Sequence, residues 1–379
     1  MIKKLWVKNY RSLADVKVDF EPVTILVGHN GSGKSNLVDV LRFVYDAFRL
    51  GLDAAIVNRH GMSTLRRWSA KGRPYDIEIG LKVETDTFRG DYSFTLGSER
   101  KGEYRVKREL CRIRDKSTGV ESLFETNEGD WVHIPQGLTP PIQIRSLVLP
   151  LLATLDPYEK LYTYLTSMSF YNIYPNALTE PQKPANPYPL DEHGANMAST
   201  LREMQRSKST LLTQLREAIQ AVIPNAVDFQ VRQVGGYLVT HLLHGMADET
   251  RAMFELSQES DGTLRMLGIL VALYQDPPQT FLALEEPELT IHPGALRLLW
   301  DEIENAATRS QILITTHSPD LLDMCQADQL RVVEKIDGVT LIDPIDGTQK
   351  QAIQERLFAP GELLRAQGLR RAEQMSLAL

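Results

Sequence analysis

Residues Gly28-His29-Asn30-Gly31-Ser32-Gly33-Lys34-Ser35 hold glycines, a lysine and a hydroxyl at the spacing G-x-x-x-x-G-K-[ST], the pattern of a phosphate-binding loop. Glycines let the backbone turn its N–H groups inward around phosphate oxygens, at the positive end of the helix that follows. Lys34 then reaches the β- and γ-phosphates, and Ser35 supplies an oxygen ligand to Mg²⁺. The flanks agree with this reading. Val23-Thr24-Ile25-Leu26-Val27 is an apolar, β-branched run that feeds the loop as a buried strand does, and Leu37, Leu41, Val44 and Phe48 recur at helical spacing. Gly28 to Asn36 is the candidate nucleotide-binding set, with ATP and Mg²⁺ as cofactors.

A second set lies far downstream. The apolar residues 280–284 end in Glu285-Glu286-Pro287-Glu288. A strand that delivers paired carboxylates at its C-terminal end suits Mg-ATP hydrolysis: one orients the metal, the next polarises the attacking water. Glu285 is the candidate metal ligand and Glu286 the candidate base. A solvated acidic loop would look the same in isolation, and the phosphate loop upstream weighs against it. The next apolar run, residues 311–316, ends at His317-Ser318-Pro319. His317 at such a strand tip can hold the γ-phosphate or the attacking water, while Ser318 starts a helix. Before an apolar helix lies Glu259-Ser260-Asp261-Gly262-Thr263, either a plain helix cap or a second anion site. One chain already has a complete phosphate loop, so the second reading implies a phosphate contacted in trans.

These residues need an α/β scaffold. Residues 1 to about 50 read as strand, turn, strand, phosphate loop, helix. Residues 76–114 alternate with period two and predict an antiparallel sheet. Residues 174–196, rich in Pro, Asn and Ala, predict a loop. A single helix is expected over 197–222, with Leu201, Met204, Leu211, Leu215 and Val222 near one seam, interrupted at Lys208 and packed on the body. After Gly262 the pattern is helix, strand, helix, strand. The expected division is 1–75 (first part of an ATPase head), 76–150 (antiparallel β lobe), 151–250 (inserted loop and helical lobe) and 251–379 (remainder of the head).

The order phosphate loop, Ser-x-Gly helix start, Glu-Glu-Pro strand end and Thr-His-Ser-Pro resembles the ATP-binding-cassette ATPases, within them the RecF, SMC, Rad50 and OLD branch. Lys8-Asn9-Tyr10-Arg11-Ser12-Leu13, Leu284-Glu285-Glu286-Pro287-Glu288 and Ile291-His292-Pro293 look most like the compact OLD-like AAA_21 group. The resemblance covers residues 1–50 and 255–325. It implies a P-loop NTPase of the ABC-ATPase head type, and an ATP-dependent, head-to-tail homodimer. Ser260 and Gly262 would be the signature residues completing a partner's site, His317 the switch histidine, and Arg11 a residue near the nucleotide. The usual signature Leu-Ser-Gly-Gly-Gln is altered here, with Glu259 in the place of leucine, and Glu285 stands for the usual aspartate. The glutamine loop has one candidate, Gln143.

Composition narrows the function. A net charge of −7 opposes bulk electrostatic binding of nucleic acid, leaving DNA to a local patch. The densest is Arg105-Val106-Lys107-Arg108 to Arg112, Arg114 and Lys116, whose arginines 108, 112 and 114 share a strand face; a charged edge strand is the competing account. Two cysteines suit a reducing cytoplasm, and no apolar run approaches the ~20 residues that span a bilayer. Only residues 318–379 follow His317, short of the ~100 residues of a small domain, so no Toprim nuclease is expected in this chain. Asp337, Asp343 and Asp346 read as turns. The expected role is the ATPase subunit of an anti-phage defence or DNA-maintenance system with a separately encoded effector. Pro140-Pro141, residues 174–189 and residues 357–379 are the candidate docking segments. A RecF-like repair clamp on DNA and a transporter motor subunit remain as alternatives.

Overall fold

The computed structural model describes residues 1–69, 75–98, 103–134, 141–246 and 250–372. Its strands are β1 (Ile2–Tyr10), β2 (Leu13–Asp19), β3 (Val23–Val27), β4 (Ile77–Glu84), β5 (Phe88–Ser98), β6 (Tyr104–Asp115), β7 (Glu121–Asn127) and β8 (Asp130–His133). Next come β9 (Met168–Tyr171), β10 (Ala226–Val234), β11 (Tyr237–Gly245), β12 (Arg251–Glu255), β13 (Phe281–Glu285), β14 (Gln311–Thr316), β15 (Leu330–Ile336) and β16 (Val339–Pro344). Thirteen of them form one sheet in the order β8-β7-β6-β5-β4-β1-β2-β16-β15-β3-β14-β13-β9. The run β15-β3-β14-β13-β9 is parallel throughout, and the stretch from β1 to β8 is antiparallel. The head and the β lobe therefore share one sheet. Three strands precede the phosphate loop, one more than the pattern announced, because β1 and β2 form a hairpin through Arg11-Ser12.

Alternation along the parallel strands builds two cores. Val23, Ile25, Val27, Leu282, Leu284, Ile312 and Ile314 face one; Leu26, Phe281, Ala283 and Leu313 face the other. Such two-sided burial is why these strands are continuously apolar. The first core also takes the helices Met197–Ser207, Thr210–Val222, Asp261–Tyr274 and Pro293–Ala306. The second takes the helix Lys34–Arg49 and the β lobe. Parallel pairing brings the C-terminal ends of β3, β13 and β14 together, where α/β sheets place ligands.

Three expectations are corrected. The single helix over 197–222 is two, because Lys208 turns left-handed (φ 51°) and Ser209 caps the second helix, its Oγ accepting from Leu211 N. The seam residues are nevertheless all buried against the body. The basic row lies on an inner strand, β6, rather than at an edge. Of its exposed arginines, Arg108 pairs with Glu125 and Arg112 with Glu121 of β7, so the row is partly neutralised. Asp343 is a buried strand residue paired with Arg371, whereas Asp337 does sit in a turn and Asp346 caps a helix.

The inserted region also holds a separate antiparallel sheet, β10-β11-β12, where only helix and loop were expected. Of the candidate docking segments, Pro140 and residues 373–379 lie outside the described residues. Leu357 and Phe358 are exposed, and Leu363 and Leu369 are buried. Among the described residues no helix is long and apolar enough to cross a membrane.

Glu109 of β6 is fully buried. Its carboxylate accepts from Tyr92 OH at 2.8 Å and from the N–H groups of Val148 and Leu149, tying the segment after β8 to the sheet. Burial pushes its pKa up to about 7 despite these three donors. A folded pKa above the unfolded value means that ionisation opposes folding. This group's contribution is thus fullest below the unfolded pKa near 4.5 and is lost as pH rises to about 7, by on the order of 3 kcal/mol. Urea unfolding of wild type and Glu109→Gln at pH 5, 6, 7 and 8 checks this. The wild-type minus variant difference falls across pH 5 to 7 and levels off above; a pH-independent difference refutes it.

Candidate nucleotide site

The phosphate loop leaves β3 at Gly28 and enters its helix through Gly33, which is left-handed (φ 110°). Both ends require glycine. A Cβ on Gly28 would lie 2.2 Å from the carbonyl oxygen of Val333, and one on Gly33 would lie 2.1 Å from Thr340 Oγ1. A chain of hydrogen bonds braces the loop from below. Asn36 Nδ2 donates to Ser12 Oγ at 2.6 Å, Ser12 Oγ meets Thr340 Oγ1 at 2.7 Å, and Thr340 Oγ1 donates to Ser32 O at 2.8 Å. The loop thus rests on the hairpin β15–β16 and on the turn after β1. Lys34 Nζ donates to the carbonyls of Gly28 (2.6 Å) and His29 (3.2 Å). Burial lowers its pKa, and Glu286 and Glu288 oppose that by favouring the ammonium.

Glu285 and Glu286 emerge from β13, and His317 from the adjacent β14. Ser35 Oγ lies 3.5 Å from Glu285 Oε2, so the hydroxyl and the carboxylate face each other across a gap in which both can ligate one Mg²⁺. Burial raises the Glu285 pKa, while Arg42 pulls it down and Glu192 pushes it up. Arg42 stands between these two carboxylates, 2.6 Å from Glu192 and 3.9 Å from Glu285. Glu286 is left-handed (φ 45°), a costly conformation outside glycine. It is held by its N–H to Thr315 O at 2.9 Å and by Arg265 Nη2 on its carbonyl at 3.1 Å. Its carboxylate meets His317 Nδ1 at 3.0 Å. Glu288 is buried and accepts from the Thr316 hydroxyl; burial raises its pKa.

One cavity of about 580 Å³ is lined by Asn30, Gly31, Gly33, Lys34, Ser35, Asn36, Glu285 and Glu286, within the size range of small-molecule sites. Gly28, His29 and His317 line a second cleft of about 250 Å³, together with Leu364 and Arg365. A phosphate-binding loop, a lysine, a hydroxyl facing a carboxylate and a second carboxylate on a histidine therefore converge from three strands.

Residues 23–323 match the AAA_21 family, described as "AAA domain, putative AbiEii toxin, Type IV TA system". The chain belongs to this family. Among curated proteins, the AAA_21 chain is 24% identical over 362 residues to the OLD nuclease of Thermus scotoductus, covering 88% of this chain and 62% of that protein. It is 27% identical over 132 residues to the DNA replication and repair protein RecF of Treponema pallidum, a third of each chain. It thus spans about three fifths of the OLD nuclease's length and a third of RecF's. In fold it is similar to an SMC head solved with the C-terminal winged-helix domain of ScpA, at TM-score 0.57, 16% identity, 92% of this chain and 99% of that one. A Pyrococcus furiosus SMC head with an extended coiled coil gives TM-score 0.51 at 14% identity, with 94% and 99% covered. The AAA_21 chain has the ABC-ATPase-like head fold of the SMC heads and is similar in sequence to the OLD and RecF proteins.

The remaining candidate residues are placed elsewhere. Arg11 points to Asp39 of the phosphate-loop helix, 2.9 Å away, and does not line the cavity. Ser260 is exposed and caps its own helix, Oγ accepting from Thr263 N at 3.2 Å. Gly262 packs so closely on the loop after β13 that a Cβ would come within 2.6 Å of Thr290 O. Neither signature residue lines the cavity of its own chain.

Several lining residues of the AAA_21 site escaped the sequence reading. Asn172 and Tyr174 enter the cavity from the end of β9, the edge strand beside β13, a place that Gln143 does not reach. The run Met-Ser-Phe-Tyr of β9 is buried throughout but only four residues long, too short to stand out as a strand. Arg265 also lines the cavity. A lone arginine in a helix otherwise buried and apolar from Leu264 to Tyr274 was the signal for it, since unpaired buried arginines are rare. Lys335, from β15, completes the wall.

Proposed function

We propose that this AAA_21 protein hydrolyses Mg-ATP at a site completed by a second copy of itself, and that the cycle drives a separately encoded effector in a defence or DNA-maintenance system. The observation that carries the ATPase part is the meeting of Lys34, Ser35, Glu285, Glu286 and His317 at the ends of β3, β13 and β14. Lys34 and the loop N–H groups hold the phosphates, and Ser35 with Glu285 holds Mg²⁺, which neutralises charge on the transferred phosphoryl group. Glu286 takes the proton of the attacking water while His317 orients that carboxylate. Ser260 and Gly262, which do not line the cavity of their own chain, supply the second copy's contact to the nucleotide.

The effector reading draws on the similarity to the OLD nuclease, which extends along 88% of the chain, against a third for RecF. The carboxylates paired with the β6 arginines disfavour direct capture of DNA by that face. The test is to incubate the pure protein, Mg²⁺ or Mn²⁺ and ATP with single-stranded, duplex and supercoiled DNA. ATP turnover without cleavage is expected, with cleavage gained on adding the product of a neighbouring gene. Cleavage by this chain alone, surviving repurification and lost on substitution within it, overturns the effector reading.

A further inference from the structure

Glu259 stands where the resembled signature has a leucine, and the fold explains the exchange. Its side chain is 11% exposed, and Oε1 lies 2.8 Å from Nε2 of His244, itself 17% exposed. His244 sits near the end of β11, its ring edge-on to Phe254 of β12 with centroids 5.3 Å apart. The turn before Glu259 is separately fixed, because Glu255 N donates to Gln258 Oε1 and Glu259 N to Leu256 O. The Ser260 loop is thus tied sideways to the small sheet by a directional contact, where a leucine would offer only apolar packing. The other end of β11 pairs with the chain at Gln182. Leu238 and Gln182 exchange backbone hydrogen bonds of 2.8 and 2.9 Å, in the segment that follows Asn172 and Tyr174 of the cavity wall.

We propose that His244 is a positioning residue for the signature loop: it fixes Glu259, and through it Ser260, to a strand whose far end is fastened at Gln182, in the segment that follows the cavity residues Asn172 and Tyr174. The inserted sheet thereby sets how one protomer presents Ser260 to the other. This rests on the reading that Ser260 completes a partner's site.

Hydrogen exchange tests the tether without nucleotide, and dimerisation tests its use. In His244→Ala, amides 259–264 are expected to exchange roughly tenfold faster, with the helix Pro293–Ala306 unchanged. His244→Gln, which keeps a donor, stays near wild type. In a Glu286→Gln background with ATP, His244→Ala is expected to weaken the dimer roughly tenfold while binding of a fluorescent ATP analogue by the monomer is unchanged. Should His244→Ala fail to fold, Glu259→Leu is read in the same way. Unaltered exchange in the folded variants overturns the proposal, as does altered exchange with an unaltered dimer. Faster exchange where the Glu286→Gln parent itself never dimerises with ATP leaves the tether standing and removes its function, and the failure then lies with the trans reading.

Discussion

Glu286→Gln is expected to bind Mg-ATP normally and to hydrolyse it roughly 10²- to 10⁴-fold more slowly than wild type, the usual cost of losing a general base. The substitution is nearly isosteric, so it leaves the cradle of Lys34 and Ser35 and the Ser35–Glu285 gap intact. Glutamine still reaches His317, 3.0 Å from the native carboxylate, yet it cannot accept the proton of a water. The variant therefore accumulates as an ATP-loaded state, read by calorimetric ATP binding beside single-turnover hydrolysis. Turnover near the wild-type rate would refute the assignment and move the base to a neighbour. Of those, Glu285 faces Ser35, and Glu288 is buried against Thr316, so neither is as well placed to meet a water beside His317.

The site was legible where chemistry is local in sequence. The phosphate loop spells out its own geometry, because Gly28 is demanded by the close Val333 carbonyl and Gly33 by its left-handed φ and the close Thr340 side chain. Glu285, Glu286 and His317 could be read because each ends an apolar run, and such runs become neighbouring parallel strands. What supports the site was less legible. Thr340 lies more than three hundred residues from the loop it braces and carries no motif. Asn172 follows a four-residue strand, too short for periodicity to separate from a loop. The break at Lys208 was visible only as an interruption of a seam, since Ser209 competes with the helix for Leu211 N. The small sheet had a signal that went unused: Gly235-Gly236 sits between Val234 and Tyr237, which pair across a two-residue turn.

Ser260→Arg is expected to abolish ATP-dependent dimerisation and turnover while the monomer still binds ATP. Ser260 is exposed and its side chain engages its own helix start, through Thr263, so an arginine there costs its own chain one helix cap, about 1 kcal/mol, and leaves the phosphate loop untouched. It does obstruct a surface that must close on a partner's nucleotide. Lys34→Ala is expected to be inactive for the opposite reason, since it loses the phosphate contact within the chain and keeps an intact Ser260. In a head-to-tail dimer each composite site draws Lys34 from one protomer and Ser260 from the other. An equal mixture of the two variants then forms mixed dimers with one intact site and one doubly damaged site. Each mixed dimer keeps one intact site of its two, so hydrolysis above that of either variant alone is expected. Steady-state hydrolysis of each variant and of the mixture measures this, with analytical ultracentrifugation confirming that dimers form. Normal hydrolysis by Ser260→Arg alone, with no gain per chain on mixing, would mean that one chain completes its own site.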